Sequence, residues 1–220
     1  MIRAFCFDMD GVLFDTERLG GTLIAQIIAR QGFDIREEQW TSLIGTSWPH
    51  TYEMLTSWFP GFDVARFERE WKNETFVDYF QAQGVPFKKG ARELLSWLKA
   101  QGYPLSLCTS NLPDVVRMYL DLAGWSGIFD HIVTADQVPH SKPAPDIYLR
   151  AAELMGVDPA DCVGIEDSHS GIRAVRAAGM VSVMVPDVVP YNDSLAFAVD
   201  HLLDDLTQVR AALQLPEGRC

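Results

Sequence analysis

The 220-residue chain carries 18 Lys and Arg against 30 Asp and Glu, a formal charge of −12, with 48% apolar residues. This is ordinary globular composition, enough for one domain of moderate size or a core with a smaller insert. The acidic balance excludes a nucleic-acid polymer and an anionic membrane surface as partners, since both require clustered Lys and Arg, and taken alone it also argues against a phosphorylated ligand.

In chain order, residues 2–7 form an apolar run that ends in acid and predict a buried strand. Residues 16–84 break away from strand patterning. They hold helical spacing over 19–31 and 64–80, no convincing strand, and half of the aromatic residues. Those rings read as the core of a small helical bundle, with a lid pocket as the alternative use. Gly84-Val85-Pro86 reads as the return linker. Beyond it, helices are predicted over 90–102, 115–123, 147–155 and 171–178, alternating with strands over 104–108, 131–134, 162–165 and 181–185. Such alternation implies an α/β fold, a Rossmann-like and mostly parallel sheet with helices on both faces. The expected organisation is a catalytic core over 1–15 and 85–220, with an inserted helical cap over 16–84.

Cys6, Cys108, Cys162 and Cys220 form no C-x-x-C pair, and three of them lie in apolar runs. Reduced, buried side chains in a cytoplasmic protein are expected. The acids at 8 and 10 interrupt the apolar N-terminus, so no signal peptide is read there. No run of eighteen apolar residues predicts a membrane span. The five histidines show no metal-ligand spacing.

The first strand ends in Asp8-Met9-Asp10-Gly11. In open α/β sheets, ligands bind beyond the carboxyl ends of strands. Two acids there read either as a solvated turn or as a site for a hard cation, which prefers carboxylate oxygen. A second acidic pair, Glu166-Asp167, directly follows another strand. Like charges at two strand ends call for a compensating cation. Thr109-Ser110-Asn111 follows a third strand, and hydroxyls with backbone N–H groups near a helix start suit a phosphate. Lys142, flanked by Pro143 and Pro145, precedes a helix. A single Lys is ordinarily a surface charge. Together the four points describe one site, with acids for metal and with hydroxyl and ammonium for a phosphoryl oxyanion.

Asp8-Met9-Asp10-Gly11-Val12-Leu13-Phe14-Asp15-Thr16-Glu17, Thr109, Lys142-Pro143 and Gly164-Ile165-Glu166-Asp167-Ser168 resemble the four motifs of the haloacid dehalogenase-like hydrolase superfamily in order, spacing and strand context. The insert resembles the small helical cap of the β-phosphoglucomutase-like branch. The resemblance implies that Asp8 is the nucleophile and forms an aspartyl-phosphate, and that Asp10 is the general acid and base. It further implies Mg²⁺ held by Asp8, the Asp10 carbonyl and Asp167, with Glu166 in or beside the coordination shell. Thr109, Ser110, Asn111 and Lys142 would bind phosphate, and Lys142 would also fix Asp8. The dehalogenases that name the superfamily lack the second acid, so Asp10 favours phosphoryl chemistry.

Mutases of this branch carry a His where this chain has Leu19-Gly20-Gly21 and an Arg where it has Gly45-Thr46-Ser47-Trp48. Hydrolysis of a small sugar- or polyol-phosphate-like monoester is therefore expected, with a phosphosugar mutase as the alternative and a non-catalytic binding module as a further one. Trp48 and Lys72 are candidates for substrate specificity. Packing is the alternative for Trp48, and an exposed helical charge for Lys72. Asp15 is expected to brace the hinge. The expected partner is a small phosphorylated metabolite bound by a monomer, with no nucleic acid and no membrane.

Overall fold

The computed structural model describes residues 1–43, 46, 48–73, 79–80 and 82–216, without the side chains of Glu17, Lys72 and Asn73. Gly45, Ser47, Cys220 and the Lys72 side chain thus lie outside the described residues. The chain divides into two compact units, Met1–Asp15 with Pro86–Cys220, and Thr16–Val85.

The first unit is built on six strands: β1 (Ala4–Phe7), β2 (Leu105–Thr109), β3 (His131–Thr134), β4 (Cys162–Glu166), β5 (Val181–Met184) and β6 (His201–Leu202). Their order is β3-β2-β1-β4-β5-β6, and every pairing is parallel. Every residue of β1, β2 and β4 is buried. That continuous burial is what a parallel sheet covered on both faces demands, and it explains why these strands are mostly apolar rather than alternating. The strand order reverses direction at β1, so the crevice at its carboxyl end opens between β2 and β4. Helix α7 (Asp146–Met155) and helix α8 (His169–Ala177) close one face, where Ile147, Tyr148, Ala151 and Val175 pack with Cys6, Cys108 and Cys162. Those three thiols are buried and free. The two-residue β6 is too short to leave an apolar run, and the sequence reading has no strand there.

The second unit contains α1 (Thr16–Arg30), α2 (Glu37–Leu43), α3 (Trp48–Trp58) and α4 (Val64–Asn73). Its core gathers Ile24, Ile27, Ile28, Leu55, Phe59, Phe62 and Phe67. Arg30 of α1 reaches Glu70 of α4 at 3.4 Å, and Arg66, one turn earlier on α4, holds the same carboxylate at 2.7 Å. Every described residue of the predicted 64–80 helix is helical, 64–73 as α4 and 79–80 beyond it, while α2 and α3 occupy a stretch that carried no helical prediction. Gly21 sits inside α1 because the Trp40 indole lies against the backbone there. A Cβ at Gly21 would fall 2.5 Å from Trp40 Cε2.

The segments leaving and re-entering the first unit run side by side. Asp15 N–H donates to Pro86 O at 2.9 Å and Lys88 N–H to Leu13 O at 3.0 Å, with Phe14 bridging Phe87 between them. Lys88 Nζ pairs with Asp187 at 2.6 Å and with Asp15 at 3.7 Å. Among the described residues, no helix is long and apolar enough to cross a membrane.

Candidate active site

Three adjacent strands deliver the polar groups. Asp8 follows β1 directly, and its N–H donates to Ile165 O of β4 at 3.0 Å. Pairing with β4 on one side and β2 on the other fixes where the Asp8 carboxylate begins. Asp8 is 8% exposed and Glu166, at the end of β4, is wholly buried.

Lys142 joins these two acids. Its Nζ lies 2.5 Å from Asp8 Oδ1 and 2.7 Å from Glu166 Oε1, and it also donates to Cys108 O at 3.0 Å. The lysine that sequence reading places in the site, against the ordinary reading of a lone Lys as a surface charge, is an interior ammonium held at three points. Burial alone would lower its pKa, but the charges of Asp8 and Glu166 outweigh that and raise it, so Lys142 stays protonated. Burial pushes the Asp8 carboxyl well above its usual range. Lys142 opposes that rise, and Glu166 and Asp10 add to it.

Glu166 accepts five hydrogen bonds. Lys142 Nζ and the Tyr148 hydroxyl, the latter at 2.7 Å, meet Oε1. Asp167 N–H, Ser168 N–H and Ser168 Oγ meet Oε2 at 3.2, 3.4 and 3.1 Å. Ser168 also caps α8 by accepting from Gly171 N–H at 3.0 Å. A Cβ on Gly171 would fall 1.9 Å from the Glu166 carboxyl, so the first turn of α8 can close on Glu166 only with glycine there.

Asp8, Glu166 and Asp167 each bring a carboxylate oxygen within 4.8 Å of the others. Lys142 brings a positive charge against two of these acids, Asp8 and Glu166. Gly11, at φ 77°, makes room for Asp167, since a Cβ at that position would lie 2.2 Å from Asp167 Oδ2. A gathered set of carboxylate oxygens of this kind fits a hard divalent cation.

The Asp10 side chain turns toward the end of β2. Asn111 Nδ2 donates to Asp10 Oδ2 at 2.5 Å and to Thr109 Oγ1 at 3.3 Å, and Asn111 N–H donates to Thr109 Oγ1 at 3.1 Å. Thr109 is buried, whereas Ser110 is exposed. So two linked groups stand at the strand ends, Asp8–Lys142–Glu166 with Asp167, and Asp10–Asn111–Thr109. Trp48 belongs to the second unit, where its 41% exposed ring stacks on Tyr52 and packs against Phe67 and Trp71. Sequence reasoning missed Tyr148, Gly11 and Gly171. Tyr148 reads as one more apolar helix position. The two glycines are marked only by their nearness to the acidic pairs.

A sequence model of the family described as haloacid dehalogenase-like hydrolase matches residues 2–179. Hexitol phosphatase B of Escherichia coli (strain K12) is 30% identical over 211 residues, covering 96% of this chain and 95% of that protein. The crystal structure of CbbY from Rhodobacter sphaeroides in complex with phosphate superposes with a TM-score of 0.80 at 28% identity, over 98% of this chain and 100% of that one. That of β-phosphoglucomutase from Clostridium difficile superposes with a TM-score of 0.74 at 26% identity, over 97% of this chain and 98% of that one.

Proposed function

The chain belongs to the haloacid dehalogenase-like hydrolase family, and from that premise we propose that it is a phosphatase for small sugar- or polyol-phosphate-like monoesters, working through an aspartyl-phosphate on Asp8. The observation that carries this reading is the buried Asp8–Lys142–Glu166 chain at the carboxyl end of β1, with Asp167 beside it. A nucleophilic carboxylate, a fixed ammonium and further acids at one strand end are what in-line phosphoryl transfer needs, because its catalysis is mostly positioning and electrostatics.

Asp8 attacks phosphorus, forming one O–P bond as the bond to the leaving oxygen breaks. Asp10 gives that oxygen its proton. A water then attacks the phosphorus of the aspartyl-phosphate, Asp10 takes a proton from it, and inorganic phosphate leaves with Asp8 restored. Lys142 neutralises oxygens of the transferring group and aims Asp8. The Thr109 hydroxyl and the Ser110 N–H receive another phosphoryl oxygen. Asp8, the Asp10 carbonyl and Asp167 would hold Mg²⁺, which when bound cancels charge between an anionic nucleophile and an anionic ester. With five donors already on it, Glu166 orients Lys142 and the Asp167 loop rather than ligating. The cytoplasm, a monomeric state, and substrate reading by Trp48 and Lys72 of a helical cap over 16–84 complete the proposal.

Gly21 favours hydrolysis over a phosphosugar mutase. The indole of Trp40 covers the backbone in the segment where mutases of this branch carry their His. The experiment is a panel of phosphorylated sugars, polyols and p-nitrophenyl phosphate with Mg²⁺, with and without EDTA. It includes a glucose 1-phosphate to glucose 6-phosphate assay, and Asp8→Asn is run beside the wild type. EDTA-sensitive phosphate release is expected from the wild type, none from Asp8→Asn, and an unchanged far-UV spectrum in the variant. Isomerisation without release would make the chain a mutase, and no turnover of any ester would make it a binding module. Normal turnover by Asp8→Asn would remove the nucleophile assignment.

A further inference from the structure

Tyr148 is wholly buried and touches both members of the central ion pair. Its hydroxyl donates to Glu166 Oε1 at 2.7 Å, the same oxygen that Lys142 Nζ meets at 2.7 Å. Its ring lies under that ammonium, with Nζ 5.3 Å from the ring centroid. One side chain thus grips the carboxylate with a hydrogen bond and presents a π face to the cation. Both contacts restrict where the Lys142 ammonium can sit.

The hydroxyl also decides how the Lys142 proton charge is shared. Nζ is placed between Asp8 Oδ1, Glu166 Oε1 and Cys108 O. With two donors on Glu166 Oε1, that oxygen is a weaker partner for Lys142 than it would be with one. The ammonium is correspondingly freer to serve Asp8 and whatever oxygens approach it. Removing the hydroxyl leaves Glu166 with the ammonium as sole donor on that oxygen, and draws Lys142 toward Glu166.

From this geometry we propose that Tyr148 is a positioning residue, holding the Lys142 ammonium between Asp8 and Glu166 so that it meets the phosphoryl group as charge builds in the transition state. This rests on the phosphatase reading above. The contacts of Tyr148 described above are with Glu166 and Lys142, and its effect passes through Lys142. Because the contribution is larger in the transition state than in the ground state, its loss appears in kcat and leaves KM nearly alone.

The test is Tyr148→Phe, which keeps the ring under Lys142 and removes only the hydroxyl. Tyr148→Leu, which removes both, is measured beside it. For each, kcat and KM are determined, with inhibition by inorganic phosphate, a ground-state ligand, and by vanadate, which adopts the trigonal-bipyramidal geometry of the transition state. Tyr148→Phe is expected to lose about tenfold in kcat, the order seen when an outer partner of a site is removed. Vanadate should weaken by a similar factor, while KM and phosphate inhibition change by less than about twofold. Tyr148→Leu should lose more. A kcat for Tyr148→Phe within about twofold of wild type overturns the proposal. So does equal weakening of phosphate and vanadate, or a lower melting temperature with unaltered kinetics. Should the wild type turn over no ester, the phosphatase reading falls by itself. Calorimetric binding of phosphate and vanadate to wild type and Tyr148→Phe then decides the role of Tyr148, and equal ratios overturn it.

Discussion

Asn111 donates its side-chain amide to both Asp10 and Thr109. In the proposed mechanism this anchors the general acid. Asn111→Ala should then lower kcat by about 100-fold on an alkyl phosphate, within the range general acid catalysis contributes. The loss should be smaller on p-nitrophenyl phosphate, whose phenolate departs without a proton. Measuring both esters checks this, and an equal loss on both would assign Asn111 to the phosphoryl group instead. At this scale the acids, Lys142 and Thr109 are legible in sequence because each is a polar residue at a predicted strand or helix end. Tyr148, Gly11 and Gly171 are not, because their importance lies in what approaches them. A Cβ within 2.2 Å of Asp167 Oδ2 is a property of the folded loop, and no local pattern announces it.

Between elements, Asp130 shows how the sheet is pinned. Its Oδ2 accepts Leu105 N–H at the start of β2 at 2.8 Å, and its Oδ1 meets Lys99 at 2.8 Å, in the last turn of helix α5 (Ala91–Ala100). Burial would raise its pKa, but the Lys99 ion pair and the Leu105 amide together bring it below the usual value. A depressed carboxyl stabilises the fold above its unfolded pKa of about 3.9, and the contribution is lost as pH falls through the lower folded value. Asp130→Asn should therefore be less stable than wild type at pH 7 in urea titrations. The gap should narrow below about pH 4 as the wild-type carboxylate protonates. A gap independent of pH would mean that shape, not charge, holds the joint. The same logic of burial separates the legible elements from the rest. Strands β1, β2 and β4 are buried throughout and stand out in sequence. The short α2 and β6 gain their form from neighbours, and their own residues carry too little pattern to call it.

For the molecule as a whole, the charge of −12 excludes less than it first suggests. Asp8, Glu166 and Asp167 gather carboxylate oxygens within 4.8 Å of one another, an arrangement that suits a cation and, in our proposal, through it a phosphate ester. Our proposal gives the chemistry to the sheet unit and the choice of leaving group to the helical one, where Trp48 keeps an exposed ring on a base of Tyr52, Phe67 and Trp71. Trp48→Ala should then alter the ranking of kcat/KM across the ester panel by about tenfold between best and worst substrates, with p-nitrophenyl phosphate least affected. An unchanged ranking would leave Trp48 a packing residue. The two-unit division follows from a periodicity change visible in the sequence. Substrate choice does not, because neither Trp48 nor Lys72 stands in a sequence pattern that tells a substrate contact from packing or an exposed charge.

The paired exit and return at Asp15–Pro86 and Leu13–Lys88 also bear on how such a molecule tolerates change. Whatever chain is spliced between Asp15 and Pro86 begins and ends within one hydrogen bond of itself. The polymer cost of closing that excursion rises only with the logarithm of its length, about 0.6 kcal/mol for each doubling. Strands β1 and β4 consequently feel little of the size of what is carried there. Lengthening, shortening or replacing the excursion is a thermodynamically shallow step, so new selectivities can be tried on an old reaction without rebuilding the sheet.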